Sequence, residues 1–320
     1  MTLGIKQKGV ALVTALLVVS IAVILAAELV DQLHFDTRRT ENMIHNEQAY
    51  LYALAGENFA IRALLEDLKE NKYDSPNEKW AVELPPMPVE GGFVAGRLLD
   101  LQGRFNLNNL SPELNNNHAL ALERFRRLLQ VLKIDPGLAD AVRDWIDKGV
   151  ETRIPNGAED DYYIGLTRPY RTANGLMASA SELRLVKGFN EEGIYDKLSG
   201  FIVALPQVTA INVNTASAEV LESLSNDITE QDAKNIIEYI GADPENDLDE
   251  AQPFTTINEF KKRMIELKKP KFITDGMSVD SEYFQLISFA QIGRGQLRLY
   301  SIIQRTNNGT RIIQRSQGAW

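Results

Sequence analysis

An α+β fold is expected of this chain: one long N-terminal helix packed on a small antiparallel sheet, with a large all-helical insertion between the sheet's strands. Three observations lead there. An eighteen-residue apolar run without charge, Val10 to Ala27, passes into an amphipathic stretch with no proline before Pro76. Strand-like alternation appears twice, at 91–110 and again at 282–315. Between those two pieces the chain reads mostly as short helices.

The first element is the helix. The apolar run is long enough to cross a hydrocarbon core of about 30 Å. Beyond it Leu33, Ile44, Leu51, Leu54, Ala55, Phe59, Leu64, Leu65 and Leu68 fall broadly at three- and four-residue steps, which predicts an amphipathic continuation to about Lys72. Sixty-odd helical residues at 1.5 Å each extend about 90 Å. A Pro-rich break follows (Pro85, Pro86, Pro88), then GGFVAGRLLDLQGRFNLNNL, where Asp100–Gly103 predicts the turn of a strand hairpin. The last stretch reads EYFQLISFAQIG, QLRLYSIIQRT, an Asn307-Asn308-Gly309 turn and TRIIQRS, and Asn-Gly between alternating runs is a strong hairpin signal. One sheet built from both pieces divides the chain into 28–110 with 280–320 as the helix-and-sheet unit, and 111–279 as the inserted helical domain.

Composition bounds the partners. The chain has 320 residues, 44% of them hydrophobic, and a formal charge of -10; without Lys6 and Lys8 of the leader the charge is -12. That balance argues against a nucleic-acid partner, because phosphate binding rests on Lys and Arg, and it is compatible with hard cations. The absence of cysteine excludes disulfides and thiolate metal sites.

The leader MTLGIKQKG places Gly9 on the near side of the apolar run, just after Lys6 and Lys8. An ordinary secretory signal, with Ala26-Ala27-Glu28 as a loose cleavage site, and a plain membrane anchor are the competing readings. The basic leader favours a cytoplasmic start with the rest facing outward. The Gly9–Val10 junction resembles the leader of type IV prepilins and type II secretion pseudopilins. That resemblance implies cleavage after Gly9 by the prepilin peptidase, with Val10 as the new, methylated amino terminus. Such subunits commonly carry Glu at the fifth mature position, where it pairs with a neighbour's amino terminus; here that position is Thr14. A carboxylate in an apolar core is costly unless paired, so Thr14 suits a subunit at the end of a fibre.

The leader, Thr14, the DLQGRFNLNNL stretch at 100–110 and the large insertion before the last strands together resemble general secretion pathway protein K, a minor pseudopilin of the type II secretion system. The resemblance spans essentially the whole chain. It implies a pilin-like fold with an inserted α-domain. It also implies assembly with minor pseudopilins I and J and the other pseudopilus subunits, and a single-pass inner-membrane location with the bulk of the chain in the periplasm. A minor pilin of a type IV pilus or competence system is the alternative.

The densest polar constellation is Asp144, Asp147 and Glu151 followed by Glu159, Asp160 and Asp161. The first three share a face if helical, and the Pro155-Asn156-Gly157 turn lets the second group fold back toward them. Six converging carboxylates would repel unless a cation neutralised them, and Ca²⁺ accepts six to eight oxygens in flexible geometry. The plain alternative is a solvated acidic loop. The resemblance implies calcium in the inserted domain. A second acidic run, Asp243 to Glu250, reads as a solvated connection.

INVNTASAEVLESL at 211–224 with the helical pattern after it looks like a helix-hairpin-helix module of DNA-binding proteins, with a weaker copy at 181–198. The hairpin Ser225-Asn226-Asp227 lacks glycine, and Glu191 and Glu192 sit beside Gly188, so the expectation is a helical scaffold without DNA binding. His34, His45 and His118 are scattered, and no nucleophile elbow, phosphate loop or zinc spacing appears, so no enzyme is expected.

Overall fold

Helix α1 runs Val10–Glu70, 61 residues without interruption. The computed structural model describes residues 10–241, 251–269 and 272–318; the leader through Gly9 and the Asp243–Glu250 run lie outside the described residues. Polar hydroxyls along α1 bond back to the preceding turn, Ser20 to Leu16 O at 2.7 Å and Thr37 to Leu33 O at 2.8 Å, so they do not break it. The apolar half of α1 has none of its surface buried and is long and apolar enough to cross a membrane.

The chain then forms β1 (Leu84–Val89) and β2 (Gly92–Asp100). The insertion follows with β3 (Phe105–Asn106), α2 (His118–Val131), α3 (Ala139–Ile146), α4 (Asp160–Ile164), α5 (Ile194–Ser199), β4 (Ile202–Val203), β5 (Ile211–Asn212), α6 (Ala218–Ser223), α7 (Glu230–Ile240), α8 (Ile257–Glu266) and β6 (Met277–Ser278). The chain ends in β7 (Tyr283–Ile292), β8 (Gly295–Thr306) and β9 (Gly309–Gln317). Five strands form one antiparallel sheet in the order β1-β2-β7-β8-β9. The insertion leaves at the end of β2 and returns at the start of β7, where Asp100 and Phe284 are register partners.

Three sequence expectations are corrected here. The predicted turn at Asp100–Gly103 is the exit into the insertion, and the hairpin turns instead at Glu90-Gly91, with Gly91 at φ 81°. The Pro-rich segment is not a break but edge strand β1, a place where a missing N–H costs no ladder bond. Consequently Phe105, Leu107 and Leu110 pack in the core of the helical insertion, and the two cores part company near Asp100.

The third correction concerns the face of α1. The sheet covers Ala49, Ala53, Glu57, Ala60, Leu64 and Asp67, a single stripe at three- and four-residue steps. Leu33, Ile44, Leu51 and Phe59 are exposed instead. Small side chains let the helix backbone approach the sheet closely, and a Cβ built on Gly56 would lie 2.8 Å from Ser288 Oγ. Around this stripe Trp80, Leu98, Phe284, Leu286 and Ile303 close one end of the core, and Val94, Ala290, Ile292 and Leu299 the other. Glu57 is buried but paired: it accepts from Ser301 Oγ at 2.5 Å and lies 2.7 Å from Arg315 Nη2.

Candidate functional site

The acidic constellation is divided by the fold. Asp144 stands on α3, an amphipathic helix whose Trp145 meets Tyr163 edge-on, with ring centroids 5.2 Å apart. Asp147 caps the end of that helix. Both carboxylates are buried, as is Glu159 just before α4. Asp144 Oδ2 accepts the backbone N–H groups of Arg153 at 3.1 Å and Ala158 at 3.0 Å, which pins the returning loop onto α3. The Arg153 guanidinium bridges Asp144 Oδ1 and Asp147 Oδ2, the latter at 2.7 Å. Glu159 Oε1 is buried and finds no hydrogen-bond partner among the described residues.

Three buried carboxylates thus face one guanidinium. Burial, and then the charges of Asp144, Asp147 and Asp160, push the Glu159 carboxyl up to about 7. The other three carboxylates do not join. Asp160 accepts from Thr172 N at 3.0 Å and Thr172 Oγ1 at 2.8 Å, while Glu151 and Asp161 are exposed. Of the six carboxylates expected to converge, Asp144, Asp147 and Glu159 are the buried ones, and Arg153 lies between Asp144 and Asp147. The helix that would have aligned Glu151 ends at Ile146, so the i, i+3, i+7 spacing no longer places it on that face. Arg153 was not singled out from sequence; it lies nine residues after Asp144, just before the Pro155-Asn156-Gly157 turn, and reaches back to α3.

A second buried cluster lies where the insertion joins the sheet. Asp67, Asp74 and Glu78 bring carboxylate oxygens within 4.8 Å of one another. Here Arg305 on β8, itself 4% exposed, supplies the positive charge, 2.9 Å from Asp67 and 2.5 Å from Asp74. Burial and the neighbouring Glu78 charge raise the Asp67 carboxyl to about 6. Burial raises Asp74 to about 7 against the pull of Arg305. Asp74 Oδ2 also accepts Ser281 N at 2.7 Å, and Ser281 Oγ donates to Asp100 at 2.7 Å. No sequence signal found this cluster, because the arginine that pairs with its carboxylates lies more than 200 residues further along the chain.

At the apolar end of α1, Thr14 donates its hydroxyl to Ala11 O at 3.0 Å, so this polar group is satisfied within its own helix. Val10 is the first described residue of α1; Gly9 lies outside the described residues. In the helix-hairpin-helix-like part, α6 and α7 do form a hairpin, but Arg127 from α2 donates to Ser223 O at 2.9 Å and Leu224 O at 3.3 Å at the α6 end. That basic side chain is spent on the protein's own carbonyls rather than facing a phosphate.

Two family models, both described as type II secretion system protein K, match residues 103–207 and 211–279. The chain belongs to the type II secretion system protein K family. It is 34% identical to type II secretion system protein K of Pseudomonas aeruginosa, over 98% of this chain and 93% of that one. It is 32% identical to type II secretion system protein K of Aeromonas hydrophila, over 97% and 96%. The crystal structure of the GspK-GspI-GspJ complex from the enterotoxigenic Escherichia coli type 2 secretion system contains a chain matching at TM-score 0.69 and 28% identity, covering 88% of this chain and all of that one. Within the protein K family matches, the acidic cluster falls in the first matched segment and the α6–α7 hairpin in the second.

Proposed function

We propose that this chain is a minor pseudopilin that stands at the end of the type II secretion pseudopilus, assembled with partners of the I and J families. The observation that carries this reading is α1: 61 continuous residues, the first part apolar and unburied and the last part seated on a sheet of five strands, in a chain of the protein K family. The likeness to a GspK-GspI-GspJ complex supports the choice of partners. Thr14 supports the end position, because it leaves no carboxylate waiting for an amino terminus in the apolar half. In this reading the apolar half anchors the chain in the inner membrane before assembly, and cleavage between Gly9 and Val10 precedes incorporation. The test is co-expression with the I and J partners and the prepilin peptidase, followed by purification on this chain and N-terminal sequencing. Recovery of a three-protein complex with a chain starting at Val10 is expected. Recovery of this chain alone from a system where I and J assemble with each other removes the assembly reading, and any other start removes the processing reading.

We further propose a calcium ion in the insertion, held by Asp144, Asp147 and Glu159. Carboxylate oxygens are the ligands a hard cation takes, and the buried Glu159 Oε1, without a partner among the described residues, is the group that such an ion would satisfy once it displaced the Arg153 guanidinium from Asp144 and Asp147. Bound calcium would supply positive charge that draws α3 and the start of α4 together. Titration of the full chain by calorimetry is expected to show calcium uptake and a raised melting temperature, both lost in Asp144→Asn. No uptake by the unmodified chain overturns the site.

A further inference from the structure

The stretch from Asp100 to Asn109 is nearly saturated with hydrogen bonds. Asp100 accepts from Thr215 Oγ1, Ser281 Oγ and Asn212 Nδ2. Gln102 bonds Ala210 O and Glu282 N. Asn106, Asn108 and Asn109 pin the loops 177 and 205–209 through both ends of their amides. Arg104 is the exception: its guanidinium makes no hydrogen bond or ion pair among the described residues. It is nevertheless half-buried. Burial holds it below the usual arginine range, Arg97 adds to that, and Asp100 only partly offsets it.

Arg104 lines a cavity of about 390 Å³ between the sheet unit and the insertion. One wall is Trp80 and Leu98 from the sheet side; the other is Val220 and Ile237 from α6 and α7. Ser217 also lines it; its Oγ accepts Val220 N at 3.4 Å, which leaves its own hydrogen to donate. The volume falls in the range of small-ligand sites, and interfaces between structural units are where such sites gather. The free groups in it are donors, and the rest of the lining is mainly apolar. A desolvated guanidinium is costly without an anion, and its planar fork matches a carboxylate through two parallel hydrogen bonds.

We propose that this cavity is a binding site for a single carboxylate on an aliphatic body, with the carboxylate on Arg104 and the body between the two apolar walls. Asp100 at the cavity's edge disfavours a doubly charged phosphate relative to a singly charged carboxylate. Because the walls come from both units, an occupied site braces the insertion against the sheet. The carboxylate has two sources, a free small acid or an acidic side chain of another polypeptide, and the same chemistry serves both.

The test uses the full chain in detergent micelles, with ionic strength held by sodium chloride. The probes are 4-methylpentanoate, its uncharged amide, and a short neutral peptide carrying one glutamate. Heat of binding and Trp80 fluorescence are read together, since Trp80 is a cavity wall. Saturable binding of an acid probe and none of the amide is expected. Arg104→Gln should weaken binding by about tenfold or more, and Arg104→Lys, which keeps charge but loses the fork, by an intermediate factor. Tighter binding of the peptide assigns the source to a polypeptide, and tighter binding of the free acid to a small molecule. Equal binding of acid and amide, no saturable response in the unmodified chain, or an unchanged response in a folded Arg104→Gln chain overturns the proposal.

Discussion

Arg305 carries one positive charge between Asp67 and Asp74 in a place that water barely reaches. Removing one member of a buried ion pair leaves the other charge uncompensated, which typically costs about 3–5 kcal/mol. Arg305→Met is therefore expected to lower stability by about 3 kcal/mol at pH 8, read by thermal or denaturant unfolding. At pH 5 the loss should be smaller, because both carboxyls are already largely protonated there and leave little negative charge uncompensated. The unmodified chain has its own pH dependence here. Asp67 near 6 and Asp74 near 7 both lie above the 3.8 of an unfolded Asp, so the native state binds more protons than the unfolded state between those values. Their contribution to stability is fully present below about pH 4 and is lost as pH rises through 6 to 7. Asp74→Asn removes one of the two titrations, so the slope of melting temperature against pH between 5 and 8 should flatten. An unchanged slope would show that the titration lies elsewhere.

At the scale of elements, α1 shows what was legible and what was not. Its length and continuity follow from an uncharged run and the absence of proline, and both were readable. Its buried face was only partly so: Leu64 is buried and Leu54 packs against the core as expected, but Leu51 and Phe59 are not covered by the sheet. Ala49, Ala53, Gly56 and Ala60 win because a helix lying on a sheet needs close approach more than it needs bulk at those positions. Leu51 and Phe59 are left exposed. The same logic hid β1, since three prolines argue against a strand unless the strand lies at an edge. The acidic cluster was half legible: composition pointed to residues 144–161, but which carboxylates are buried depends on where α3 ends and on Arg153. Gly56 gives a direct check on the close approach. A side chain there meets Ser288 Oγ, so Gly56→Val is expected to cost about 1–3 kcal/mol from overpacking. Phe59→Ala, on the exposed side, should leave monomer stability within about 0.5 kcal/mol. Comparable losses at both positions in unfolding experiments would contradict the assigned face.

On the scale of the whole molecule, apolar packing over α1 and the sheet and a core within the insertion are joined by a small cluster in which Val203 and Leu205 meet Leu101, Tyr283 and Ile302. The insertion's ends are adjacent: Asp100 pairs with Phe284, and Leu101 N donates to Tyr283 O at 3.0 Å. A tight hairpin can therefore replace the insertion without moving a strand. Substituting residues 102–281 by a turn of about four residues keeps β2 and β7 in register. The shortened chain forfeits the bonds that Ser281 and Asn212 make to Asp74 and Asp100, so a lower melting temperature is expected. Arg305 still pairs with Asp67 and Asp74, and the small-residue face of α1 still meets the sheet, so unfolding should remain cooperative by circular dichroism. The same chain lacks Asp144, Asp147 and Glu159, and its melting temperature should be indifferent to calcium while that of the full chain rises. A shortened chain that does not melt cooperatively would show that the sheet depends on the insertion. One that folds and still responds to calcium would move the cation away from the acidic cluster.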